Sequence, residues 1–389
     1  MGHNYKMVAK TLYGLEQVLA EEIRQLGGLK IEPGVRNVAF EGDDGFMYKA
    51  NLGLSTAIRI LKPLYEFEVR DENDFYKKIY KLDWPSVMTE NDTLSVNATV
   101  FSDRFTHSHY IALKCKDAIV DRFRDDTGKR PNVDTEQPTV AIQVHIAQHR
   151  VTVSLDTSGD SLHLRGYRTQ TNEAPINEVL AAGILRLAGW QGQNDLLDPM
   201  CGSGTMLIEA AMMACRIPPN IHRKSFGFQR WSTYDEALFD KMREVLLSKT
   251  REFHYKLQGY DVSMASVRKA QQNVMNAGLE EYIDIRLQNF FKSKKENVGP
   301  LTLVFNPPYD ERISIQTEQF YKQIGDTLKQ AYPGSKAWMI TGNLEALNSV
   351  GLRTSRKIKL YNGNIEARLV QYELYEGTRK MKGAQQDDK

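Results

Sequence analysis

Residues 195–210, DLLDPMCGSGTMLIEA, constrain the fold of this chain more than any other stretch. Leu196 and Leu197 read as a buried strand, Asp198 to Gly204 as a tight turn, and Thr205 onward as a helix. A strand feeding a glycine turn that opens a helix leaves backbone N–H groups unpaired at the helix start. Gly202 and Gly204 lack the Cβ that would block close approach of a ligand. Asp198 at the strand tip suits a cation rather than a phosphate. No Lys follows the glycines, which excludes the phosphate loop of nucleotide hydrolases.

Two further strand ends extend the pattern. KLQGYDVS sets Asp261 at a strand tip, where a carboxylate can accept both hydroxyls of a ribose. LTLVFNPPYD sets Asn306, Pro307, Pro308 and Tyr309 after a third apolar strand. The ligand these residues fit is a zwitterionic nucleoside without phosphates, such as S-adenosylmethionine. The glycine turn, acidic tip and NPPY, in that order, resemble class I S-adenosylmethionine-dependent methyltransferases that act on exocyclic amines. The resemblance implies a Rossmann-like α/β fold with a seven-stranded sheet. It assigns cofactor contacts to Asp198, Pro199, Cys201, Gly202, Ser203, Gly204, Thr205, Asp261, Asn289 and Asn306. Many relatives carry an acidic residue where this chain has Asn289, which can accept the adenine amine hydrogen without charge. Cys201 is read as a small turn residue, not a nucleophile.

The NPPY chemistry follows from the acceptor. The lone pair of an exocyclic amine is delocalised into its ring, so a site helps by accepting both N–H hydrogens and aligning the nitrogen. The Asn306 side-chain oxygen and the Pro307 carbonyl suit that task. The prolines stiffen the turn, and Tyr309 can stack on a flipped base. NPPY also occurs in adenine-specific DNA methyltransferases and protein glutamine methyltransferases, so the motif identifies an amine, not its owner.

The rest of the chain narrows the owner. Its 389 residues are enough for two or three domains. The net charge is only +2, so a nucleic-acid surface must be a local patch. No apolar run approaches the ~20 residues of a membrane span, and the N-terminus lacks a signal-peptide core. Three cysteines in no metal-like spacing suggest a reducing cytoplasm. His107, His109, His145 and His149 lack the partners that would complete a metal set, so no metal is expected.

Residues 1–60 read as a small α+β unit, with Leu15, Val18, Leu19, Ile23 and Leu26 on one helix face. Strands and helices continue through residues 61–156, where Ile111, Cys115, Ile119 and Phe123 form an inward helix stripe. FSDRFTHSHYIALKCKDAIVDRFR resembles the THUMP domain of RNA-modifying enzymes, preceded by its ferredoxin-like companion. That resemblance implies RNA as partner and offers Lys114, Lys116, Arg122 and Arg124 as phosphate contacts, although nearby Asp residues also allow a merely solvated face. The expected organisation is 1–60 ferredoxin-like, 61–156 THUMP, 157–176 linker, 177–376 methyltransferase and 377–389 polar tail. The resemblance implies that LHLRGYR (162–168) contacts the methyltransferase domain and helps seat the ligand or RNA, and Asn172, Glu173, Ala174 and Pro175 are expected to border the cofactor pocket. Asp198 and Asp261 lie about three times farther apart than in a plain strand–helix–strand unit. The insertion between them carries Phe226, Phe228 and Trp231, read as local core or as an RNA-facing rim.

The string NEAPINEVLAAGILRLAGW…LLDPMCGSGTMLIEAA…NPPYDER is similar to bacterial enzymes that methylate the 2-amino group of guanine in 23S rRNA. The similarity extends to the free-standing form and to the first half of the bifunctional form. A THUMP methyltransferase of tRNA guanine and a non-catalytic RNA-binding assembly factor are the alternatives.

Overall fold

The computed structural model describes residues 3–169, 176–296, 298–308 and 315–376. The chain forms two compact units that do not follow a single cut in the sequence. The first comprises Met1–Thr11, Ala20–Leu162 and Arg223–Glu244; the second comprises Leu12–Leu19, His163–His222 and Val245–Lys389.

The elements up to residue 156 are β1 (Tyr5–Lys10), α1 (Glu16–Leu26), β2 (Leu29–Pro33), β3 (Asn37–Gly42), α2 (Asp44–Gly53), β4 (Arg59–Glu68), α3 (Glu72–Tyr80), β5 (Thr93–Phe101), α4 (Ser108–Thr127), β6 (Asn132–Val133), β7 (Val140–Ala147) and β8 (Arg150–Asp156). All eight strands join one sheet in the order β2-β3-β1-β4-β8-β7-β5-β6. The ferredoxin-like and THUMP segments therefore share a sheet through β4, which pairs with β1 near Ile60 and with β8 along the rest of its length. The α4 stripe packs as its spacing predicts: Ile111, Cys115, Ile119 and Phe123 are all buried in one core with β5, β7 and β8.

The insertion's aromatics complete this first unit. Phe226 and Phe228 are buried and stack with ring centroids 5.3 Å apart. Phe228 lies 4.6 Å from the Tyr48 ring of α2, and Trp231 packs against the THUMP core. Local core is the correct reading, and an RNA-facing rim is not, because burial leaves Phe226 and Phe228 no face for a base.

The second unit adds α5 (Glu178–Leu187), β9 (Asp195–Asp198), α6 (Thr205–Cys215), β10 (Leu257–Asp261), α8 (Met264–Asn276), β11 (Ile283–Leu287), β12 (Leu301–Phe305), α9 (Ile315–Ala331), β13 (Lys336–Thr341), β14 (Arg356–Asn362) and β15 (Ile365–Glu373); α7 (Glu236–Leu247) begins in the first unit. Its seven strands run β11-β10-β9-β12-β13-β15-β14, parallel except for β15, which is antiparallel to both neighbours. β9 sits where the strand order reverses, and the carboxyl ends beside such a point form a crevice. β14 and β15 form a terminal hairpin whose two-residue turn is Gly363–Asn364, with Asn362 paired to Ile365.

LHLRGYR runs beneath α6. Arg165 is fully buried, with Nε and Nη2 each 3.3 Å from the Glu209 carboxylate. Tyr167 Oη donates to the same carboxylate, and Arg165 Nη1 donates to Asn220. Removing one partner of such a pair strands a buried charge. Arg165→Met should cost about 3–5 kcal/mol in urea unfolding, and adding Glu209→Leu should recover much of it. A single variant as stable as the wild type would contradict this.

Candidate active site

The strand tips of the second unit open onto a cavity of about 840 Å3. Of the expected cofactor residues, Asp198, Pro199, Cys201, Gly202, Ser203, Thr205, Asp261, Asn289 and Asn306 line it, as do Pro307 and Pro308. Gly204 does not. Its φ of +82° turns the chain into α6, and a Cβ there would meet Ala270 of α8 at 3.3 Å. Its hydrogen side chain serves helix packing rather than ligand approach. Tyr309, Asn172, Glu173, Ala174 and Pro175 lie outside the described residues.

The turn is tied to β10. Gly202 N–H donates to Asp261 Oδ2 at 3.1 Å, and Cys201 N–H donates to the Tyr260 carbonyl at 2.9 Å. Ser263 N–H donates to Asp261 Oδ1 at 2.8 Å, so both carboxylate oxygens are anchored with lone pairs to spare. Burial pushes the Cys201 thiol well above its usual range, which leaves it unionised and inert as a nucleophile at neutral pH. Arg168 braces the same turn: its Nη2 donates to Thr205 Oγ1 at 2.7 Å, and its Nε pairs with Glu178 at 2.9 Å. Burial lifts the Glu178 carboxyl to about 7 against the pull of Arg168.

Asn289 is partly committed. Its Oδ1 caps a short 3-10 turn by accepting the Phe291 N–H at 2.8 Å, which leaves one lone pair for a ligand. Asn306 differs. Its Oδ1 is buried with no hydrogen-bond partner among the described residues, a costly arrangement that a bound N–H donor relieves. The Asp261 carboxylate, the Asp198 carboxyl, an amide oxygen without a partner among the described residues and no lysine in the turn fit a cationic nucleoside.

Sequence reasoning missed part of the lining. Phe290, Phe291 and Phe320 add apolar wall, and Asn362 and Ile365 come from the β14–β15 hairpin. An Asn-Gly turn predicts the hairpin, but no local signal brings its tip to the NPP segment.

The α4 cations are mostly paired within their own helix. Arg122 contacts Asp126 and Arg124 contacts Asp121, each at 2.5 Å, and Lys116 pairs with Asp117. Lys114 Nζ donates to Tyr110 Oη at 3.2 Å. Such exposed pairs are weak, and the Asp residues among the cations balance the charge of α4. Among the described residues no three His, Cys, Asp or Glu gather as a metal site, and no helix is long and apolar enough to cross a membrane.

Asp198 provides a test of the electrostatics. Burial, together with nearby Asp261, raises its carboxyl to about 8, against the Met200 N–H bond that lowers it. The folded protein thus holds a proton here that the unfolded chain releases near pH 4, so this group's contribution to stability falls as pH rises from about 4 to about 8. Asp198→Asn keeps an oxygen for Met200 and removes the slope. Its stability relative to wild type should rise with pH by up to about 1.4 kcal/mol per unit. Urea unfolding near pH 5 and near pH 8 checks this; an unchanged difference would contradict it.

Sequence comparison matches residues 165–371 to an RMKL-like methyltransferase domain, 69–156 to a THUMP domain and 6–61 to an RlmL ferredoxin-like domain. The Synechocystis sp. protein slr0064, named as an RNA methyltransferase, is 36% identical over 93% of this chain and 95% of its own length. The ribosomal RNA large subunit methyltransferase K/L of Cellvibrio japonicus is also 36% identical, over 93% of this chain and 50% of its own length. The chain therefore spans about half the length of that K/L relative. Among solved structures, the methyltransferase SMU.472, crystallised with SAH, superposes with a TM-score of 0.87 at 28% identity, covering 97% of this chain and all of that one. The glycine turn, the acidic tip of β10 and the matched domains together show that this chain belongs to the RMKL-like methyltransferase family, with a THUMP domain and an RlmL-type ferredoxin-like domain before the catalytic fold.

Proposed function

We propose that this chain is an S-adenosylmethionine-dependent methyltransferase acting on the 2-amino group of a guanine in 23S rRNA. The observation that carries the reading is the buried Asn306 Oδ1 at the end of β12, without a hydrogen-bond partner among the described residues and lining the same cavity as Asp198 and Asp261. The K/L name of its relatives and the THUMP match support rRNA as the owner of the amine. A cytoplasmic location follows from that substrate, and three unbridged cysteines accord with it.

In this reading Asp261 accepts hydrogen bonds from the ribose hydroxyls, Asp198 faces the cationic end of the cofactor, and the Gly202 turn admits its close approach. When bound, S-adenosylmethionine supplies a methyl group already activated on a sulfonium. Asn306 Oδ1 and the Pro307 carbonyl accept the two amine hydrogens, which fixes the nitrogen's orientation and favours lone-pair density on it. Positioning of this kind accounts for most of the rate. The base must leave its stack to reach the cavity.

Asp261→Ala should weaken S-adenosylmethionine binding by at least ~1.5 kcal/mol, because it removes a charged acceptor and the anchor of Gly202. Titration calorimetry on a folded variant with unchanged affinity would remove Asp261 from the site.

Asn306→Ala tests the chemistry. Cofactor and RNA affinities should stay within about threefold while single-turnover methyl transfer falls by roughly 100-fold or more. Transfer at the wild-type rate would sink the amine-acceptor role.

A further inference from the structure

Asn362 and Ile365 line the cavity although they belong to none of the strand tips that carry its other polar groups. They flank the turn at the end of β14–β15, and β14 is the edge strand of the sheet. The strand order divides the cavity. β10, with Asp261, lies on one side of β9, whereas β12, with Asn306, and the hairpin lie on the other. The hairpin tip therefore belongs to the acceptor end and not to the ribose end.

An edge hairpin needs external support to hold a fixed tip. This one has it in an unexpected place. Residues 12–19 belong to the same compact unit, although the chain on both sides of them belongs to the other. The Tyr13 ring meets Tyr361 edge-on, with centroids 5.4 Å apart and planes at 89°. Gly14, at φ +84°, lies where a Cβ would come within 3.0 Å of both Leu360 Cδ2 and the Lys359 carbonyl. Leu15 is fully buried and presses on Gly183 of α5, where an added Cβ would lie 2.5 Å from Leu15 Cδ1. Within the hairpin, Glu366 holds Lys359 at 2.6 Å and Arg368 at 2.7 Å.

The tip's chemistry suits a base. An amide side chain offers both a donor and an acceptor to a base edge that shows both. Ile365, half exposed, offers an apolar surface to a ring face.

We propose that the hairpin tip selects the acceptor base, Asn362 through the base edge and Ile365 across its face, and that Tyr13 and Gly14 are positioning residues that hold the tip in place. The proposal rests on the amine-acceptor reading of Asn306, and its test separates the two. Steady-state transfer to rRNA and titration with S-adenosylhomocysteine are measured for Asn362→Ala, Asn362→Asp, Ile365→Ala, Tyr13→Ala, Tyr13→Phe and Asn306→Ala. Asn362→Ala and Ile365→Ala should each lower kcat/KM for rRNA about tenfold or more, with S-adenosylhomocysteine affinity within about threefold of wild type. Asn362→Asp keeps the shape and one acceptor but loses the donor, and it should also be impaired. Tyr13→Ala should lose activity with an unchanged melting curve, while Tyr13→Phe, which keeps the ring contact, should restore it.

Wild-type efficiency in the Asn362 and Ile365 variants, alongside an inactive Asn306→Ala, would overturn the hairpin's role and leave the acceptor reading intact. An active Asn306→Ala, or no transfer to RNA by the wild type, would overturn both. Loss of S-adenosylhomocysteine binding in the Asn362 variants would assign the tip to the cofactor instead and also overturn the proposal.

Discussion

The Gly202 N–H held by the Asp261 carboxylate is the contact on which the second unit's cavity depends. It ties the turn after β9 to the tip of β10, and the neighbouring Cys201 N–H bond to the Tyr260 carbonyl doubles the tie. With the turn fixed, Gly204 can reverse the chain against Ala270, and Asn273 of α8 donates to the Ser203 carbonyl from the other side. α6 then starts at the cavity wall, where Ser203, Thr205 and Met206 line the space, and Glu209 on the same helix is held by buried Arg165. A flexible turn would cost binding energy each time a ligand ordered it; a turn already bonded to its neighbour does not.

That local architecture was legible in the sequence because its signals are local. Thr205 opens α6 as the glycine turn requires, and LTLVF is β12 to the residue. The α4 stripe follows from helical periodicity alone. Pairings between distant segments were not legible. Residue type offers Phe226 and Phe228 as core or as an RNA-facing rim, but does not place them against Tyr48. Strand patterns in residues 1–156 show strands, but not that β4 joins them into one sheet. Residues 12–19 and the hairpin tip are separated by most of the chain, so nothing near either segment announces the other.

Two places show where motif reading reaches its limit. Asn289 sits where the family pattern puts a cofactor contact, yet its oxygen is engaged by its own backbone turn. The α4 basic residues fit a phosphate-binding helix by type, while their Asp neighbours at three- and four-residue spacing pair with Arg124 and Arg122 along the helix surface. That second pattern was present in the sequence and is the basis of the solvated alternative. Residue type identifies what a side chain can do; its partners decide whether it is available.

The central claim is that the side-chain oxygen of Asn306 serves a guanine amine of large-subunit rRNA. Nucleoside mass spectrometry of purified 23S rRNA and tRNA, from cells lacking this chain and cells expressing it, tests that claim most directly. The account predicts that N2-methylguanosine in 23S rRNA falls by one residue per molecule without the chain and returns with it, while tRNA is unchanged. Unaltered 23S rRNA together with loss of methylguanosine from tRNA would contradict it.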